Sequence, residues 1–144
     1  MIVLKDIYLF LEEALGIDPK TIKPGSDLFE DFGVFGDDLF ELIEVFSENY
    51  SVNVDDFLWY FHSPEEASSL FRMIFLPPNK RVSRIPITPD MLVQYANQKC
   101  WGLEYPAHEI PNRRWDILLS QLLLITLLIA LLIALVVVGV FWLG

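Results

Sequence analysis

From Ile117 to Leu143 no side chain is charged, and the clearly polar ones, Ser120, Gln121 and Thr126, all lie toward the N-terminal end of the stretch. Crossing about 30 Å of hydrocarbon takes roughly 20 helical residues, so this segment spans a bilayer with some tilt. On insertion scales Leu, Ile, Phe and Val each contribute about -0.3 to -0.6 kcal/mol, and the sum favours the bilayer by several kcal/mol. A buried helix of a soluble core is the weaker reading at this length.

Trp115 and Trp142 stand at the two ends, where indole rings suit the headgroup level, and Arg113 and Arg114 immediately precede the span. These four are the expected membrane-interface residues, and the arginines place the N-terminal side in the cytoplasm of an inner membrane. With only Gly144 after Leu143, the expectation is a single-pass, C-terminally anchored chain. Gly139 has no small residue four positions away on either side, so no homo-oligomer is expected through this helix.

The net charge of -10 is unevenly placed. Residues 1–70 hold sixteen Asp/Glu against three Lys, a balance of -13, whereas residues 71–116 hold seven Lys/Arg against four Asp/Glu, a balance of +3. Nucleic acid is excluded as a partner of so acidic a domain, because phosphate binding needs clustered cations. The basic surface of another protein is the natural complement. Cys100, the single cysteine, has no internal disulfide partner, and with His62 and His108 it makes no zinc set. That usage fits a reducing cytoplasm. Lys5, Asp6, Glu12 and Glu13 interrupt the apolar pattern of the first fifteen residues, so no signal peptide is expected.

Leu4, Ile7, Tyr8, Leu11, Ala14 and Leu15 recur as one face of a helix, with Gly16 as its left-handed C-cap. A loop with Pro19, Pro24 and Gly25 follows, and Leu28, Phe29 and Phe32 plug the core from a short turn. Asp38 followed by Glu41 reads as the N-cap of a second helix, whose apolar stripe is Leu39, Leu42, Ile43, Phe46 and Tyr50. Asp37, Glu41, Glu44 and Glu48 run along its other side. Ser63-Pro64-Glu65-Glu66 is a capping sequence for a helix to about Phe75, stopped by Pro77-Pro78. Residues 76–114 carry six prolines and the cations Lys80, Arg81 and Arg84. Within them Thr88-Pro89-Asp90 opens a short helix over about 89–99, and the connector is expected to pack on the preceding bundle. Its cations are expected to lie against anionic lipid, which attracts each by about 1 kcal/mol.

Glu13-Ala14-Leu15-Gly16-Ile17, then Ser26-Asp27-Leu28-Phe29-Glu30-Asp31-Phe32-Gly33, then Glu41-Leu42 resemble the signature of an acyl carrier protein without a gap, over residues 3–75. Ile87-Thr88-Pro89-Asp90-Met91-Leu92, with Trp101 after it, is similar to an uncharacterised bacterial carrier-like family, domain-of-unknown-function family 1493. The resemblance implies an all-α fold: a carrier-like four-helix bundle over 1–75, the basic connector over 76–114, and one transmembrane helix over 115–144. Carriers esterify phosphopantetheine to the serine of an Asp-Ser-Leu motif at the start of helix two. Here that position falls on Gly36, or on Asp38 in a register shifted by two residues, and neither has a hydroxyl. No cofactor is therefore expected. Carriers also dock through the acidic face of helix two, which makes Asp37, Asp38, Glu41, Glu44 and Glu48 the candidate docking residues.

Charge runs are most often solvated faces, and the aromatic run Phe57–Phe61 reads as core rather than as a docking surface. His62 has no nearby nucleophile and reads as local or surface, and Cys100 reads as a structural thiol. No carboxylates stand at acid/base or metal spacing. The expectation is a membrane-tethered, non-enzymatic interaction module that binds a partner protein. The alternatives are a carrier loaded at an unexpected hydroxyl such as Ser47, or an envelope or stress regulator acting on another membrane protein.

Overall fold

Gly16 ends the first helix as its sequence requires: φ is +69°, the left-handed region open to glycine at little cost, and its N–H donates to the Glu12 carbonyl at 2.8 Å. The computed structural model describes residues 1–65, 71, 74–111 and 113–143. Among them are five α-helices and two 3-10 turns, Trp59–Phe61 and Pro78–Lys80, with no strand. The helices are α1 (Leu4–Leu15), α2 (Leu28–Phe32), α3 (Gly36–Tyr50), α4 (Pro89–Gln98) and α5 (Trp115–Leu143). They fall into two units, Met1–Glu66 with Pro78–His108, and Ala67–Pro77 with Glu109–Gly144.

In the first unit α1 buries Ile7, Phe10 and Leu11. Ala14, expected on that face, is exposed, and Phe10 takes the inward place, its ring 5.9 Å from Phe46 and 5.5 Å from Tyr50. Helix α3 contributes Leu39, Leu42, Ile43 and Phe46 to the core, the stripe its periodicity predicts.

Two local expectations change. The turn at Leu28 is a complete short helix, because Asp27 caps it by accepting from the Phe29 N–H at 3.0 Å and Gly33 closes it at φ +70°. Helix α3 begins at Gly36 rather than after Asp38, so Asp37 and Asp38 lie in its first turn. The reason is tertiary. Gly36 adopts φ +55°, and its N–H donates to the Ser63 hydroxyl at 3.0 Å, so an orphan donor of the helix start is satisfied from 27 residues away. The helix expected from Ser63 to Phe75 lies mostly outside the described residues. The Ile74 and Phe75 N–H groups both donate to the Phe71 carbonyl, a turn.

Thr88 caps α4 by accepting from the Met91 N–H at 3.3 Å, with Pro89 at the first helical position. Helix α4 lies against α1 and places Leu92, Tyr95 and Ala96 in the same core as Ile7 and Leu11. The Asn97 amide acts as a substitute peptide group: its Oδ1 accepts from the Ile2 N–H at 2.9 Å, and its Nδ2 donates to the Ile2 carbonyl at 2.8 Å. Beyond α4, an isolated parallel bridge pairs Asn53 with Cys100, and Lys99 Nζ donates to the last carbonyl of α3, Tyr50, at 2.7 Å.

In the second unit α5 is the dominant element. Within its stretch Trp115–Val140, 18 consecutive residues reach a mean hydropathy of 3.3 and none of them is buried, so the helix is long and apolar enough to cross a membrane.

Candidate functional site

Asp37, Asp38, Glu41, Glu44 and Glu48 are all exposed on α3. Their spacing works against the helix that carries them. Asp37 and Glu41, and Glu44 and Glu48, are like charges four residues apart, which destabilise a helix surface. Glu48 also sits near the C-terminal end of α3, and Glu12 and Glu13 in the last turn of α1, where the backbone dipole is negative and neither last turn contains a basic residue. Among the described residues none of these seven carboxylates has an ion-pair partner.

The five α3 acids do not act as one set in space. Asp38 and Glu41 line a groove of about 370 Å³ between α1 and α3, with Leu42, Val45 and Asn49 on the same wall and Phe10, Glu13, Ala14 and Leu15 opposite. Asp37 instead lines a smaller concavity of about 180 Å³ with Gly36, Phe40, Trp59, Pro64 and Glu65. Glu44 and Glu48 lie on the outer side. Sequence reading missed Glu13 as the carboxylate facing α3 across the groove. The exposure of Ala14 and the burial of Phe10 were the missing information.

Of the two positions that the carrier resemblance aligned with the arm-bearing serine, Gly36 is buried and Asp38 is exposed. The Ser63 hydroxyl stands beside Gly36; Ser63 is 4 % exposed, and its hydroxyl accepts from the Gly36 N–H and donates to the Pro64 carbonyl at 3.1 Å. The Ser47 hydroxyl donates to the Val52 carbonyl at 2.7 Å. Among the described residues no group of three or more His, Cys, Asp or Glu side chains is placed to hold a metal ion.

His62 is not at the surface. It is 2 % exposed, stacked on Phe57 with ring centroids 5.1 Å apart, and edge-on to Trp101. Its Nδ1–H donates to the Ile85 carbonyl at 2.8 Å, which makes Nε2 the acceptor for the Tyr105 hydroxyl at 2.9 Å. Burial pushes its pKa down to about 4, opposed in part by the Ile85 carbonyl, so the ring is neutral at pH 7. Of the aromatic run, Phe61 is buried, while Phe57, Trp59 and Tyr60 are half-buried. Tyr60 donates to His108 Nε2 at 2.8 Å, since His108 Nδ1 is held by the Pro106 carbonyl. Cys100 corrects an expectation: the thiol is exposed and free.

The connector's cations are not uniformly available to lipid. Arg84 reaches Asp27 at 2.7 Å and Glu30 at 2.6 Å, with its guanidinium 5.0 Å from the centre of the Phe29 ring. Burial raises the Asp27 carboxyl, but Arg84 and the Phe29 N–H outweigh it and hold the carboxyl below its usual range. In the second unit Arg113 lies 5.9 Å from the ring of the exposed Trp115. Arg114 forms a two-pronged pair with Asp116 at 3.0 and 2.8 Å, and Trp142 is exposed.

A family model described as "Protein of unknown function (DUF1493)" matches residues 4–103. No curated protein and no solved structure matches the chain.

Proposed function

The chain belongs to the DUF1493 family of proteins of unknown function, and on that premise we propose that it is a membrane-tethered interaction module, carrier-like in its helical domain, that recruits or regulates a partner protein. The carrying observation is the exposed acidic face of α3, whose carboxylates lack cation partners among the described residues and repel one another. A surface arranged against its own helix gains most from a basic partner, and long-range charge complementarity then sets association rate and specificity.

In this reading the domain has an acyl carrier-like bundle but carries no phosphopantetheine. A buried glycine at the attachment position and Ser63 and Ser47 hydroxyls already hydrogen-bonded support that part. Helix α5 anchors the chain in an inner membrane with residues 1–112 in the cytoplasm, and Arg113 beside Trp115 suits the headgroup level on that side. The module is not an enzyme; it acts by position and contact.

The test is crosslinking of the full-length chain in intact cells, with mass spectrometry of what is captured. The double charge reversal Glu41→Lys and Glu44→Lys is expected to abolish the main crosslinked partner while the protein stays folded and membrane-bound. Unchanged capture would reduce the acidic face to a solvated one and overturn the proposal.

A further inference from the structure

Resting on that docking reading, we propose that the groove between α1 and α3 receives one helical segment of the partner, basic along one stripe and apolar along the next. Both walls of the groove carry negative charge. Glu13 on α1 faces Asp38 and Glu41 on α3 across the opening, and none of the three has a cation partner among the described residues. The C-terminal end of α1 adds its own negative pole there, and its last turn contains no basic residue to offset it.

Between these acids the groove also has apolar surface, with the exposed Ala14 and the half-buried Leu15 and Val45 open to an incoming side chain beside the Asn49 amide. An opening of about 370 Å³ is at the low end of the range that holds small ligands. It suits one or two aliphatic anchors flanked by Lys or Arg.

The walls also select the partner's backbone. Both are sides of α-helices, so neither offers the row of N–H and C=O groups that makes a strand edge. An extended segment would bring unpaired backbone groups against them. A helix satisfies its own backbone and presents anchors at i, i+3 and i+4.

The experiment uses the full-length chain in nanodiscs and three fluorescent peptides: an amphipathic Lys/Leu helix, the same composition scrambled, and oligolysine. The amphipathic helix is expected to bind at least tenfold more tightly than the scrambled peptide. Ala14→Trp, which fills the groove, should remove that preference without changing oligolysine binding. Asn49→Trp, at an exposed position on the opposite wall, should do the same and guards against misfolding of the first variant. A photoreactive group at one Leu of the helix should crosslink within residues 10–15 and 42–49. Equal binding of the amphipathic and scrambled peptides, or crosslinks elsewhere, overturns the groove while leaving the acidic docking face intact. Absence of binding by all three peptides, together with unchanged cellular capture by the charge-reversed chain, overturns both.

Discussion

The Tyr105 hydroxyl donates to His62 Nε2 at 2.9 Å while accepting from the Leu58 N–H at 3.1 Å and the Trp101 Nε1–H at 2.9 Å. One donor and two acceptor sites are all used, and the network joins the segment before the Trp59–Phe61 turn to the chain beyond α4. Tyr105→Phe keeps the ring but strands two donors and one acceptor. Each such buried group costs about 1–3 kcal/mol, so chemical denaturation should show a loss of at least about 2 kcal/mol with the m-value unchanged.

The same bond makes His62 acid-sensitive. A proton on Nε2 would face a hydroxyl whose lone pairs are already taken. The folded pKa is depressed from 6.5 to about 4, so between these values the unfolded chain binds the proton and the folded chain does not. Stability is therefore full above pH 6.5 and falls as the pH drops toward 4, by a total of about 3 kcal/mol. Denaturation midpoints across that window should fall with this slope in the natural protein and flatten in His62→Phe, which has no ring to titrate. An equal slope in both would assign the acid loss to other groups.

Asp27 serves two purposes, capping α2 and holding Arg84. Asp27→Ala should cost about 1–2 kcal/mol, since it removes the cap as well as the pair, and Arg84→Met should cost less, about 1 kcal/mol. The Asp27 carboxyl is held below its usual range. Its contribution is present above the unfolded carboxylate pKa and is lost as the pH falls through the folded value, below the His62 window. Thermal melts of the two variants should rank in that order, and a larger loss for Arg84→Met would reverse the assignment.

The acidic face predicts a trade between stability and docking. Glu44→Gln removes repulsion with Glu41 and Glu48 and should stabilise the fold by about 0.2–0.5 kcal/mol, with a smaller gain at high salt, where the repulsion is already screened. A loss of stability on neutralisation would mean these carboxylates have favourable partners.

Cys100 is exposed and is the only cysteine of the chain, so the proposed orientation is testable without engineering. A membrane-impermeant maleimide should fail to label the protein in intact spheroplasts and label it after permeabilisation. Labelling of intact spheroplasts would place the domain on the other side. Intact-mass measurement after coexpression with a phosphopantetheinyl transferase should show the unmodified chain, and a gain equal to the arm would remove the carrier-without-arm reading.

Periodicity and caps made much of the helical content legible. The alternation over α1, the Gly16 stop, the Thr88-Pro89 start and the uninterrupted apolar run of α5 are local rules, each acting within one or two turns of chain. The acidic stripe of α3 was legible for the same reason, since it repeats every three to four residues.

What the sequence by itself determined is the existence of α1, α3, α4 and α5, and which of them is apolar enough for a bilayer. What only the tertiary structure decided is who meets whom. Ser63 reaches the start of α3, Asn97 holds Ile2, Arg84 reaches Asp27, and Glu13 comes to face Glu41 across a groove. Such pairs join residues some 27 to 95 positions apart. They leave no periodic trace along the chain, because a hydrogen bond or ion pair across a fold depends on two backbones brought together by packing of the core between them.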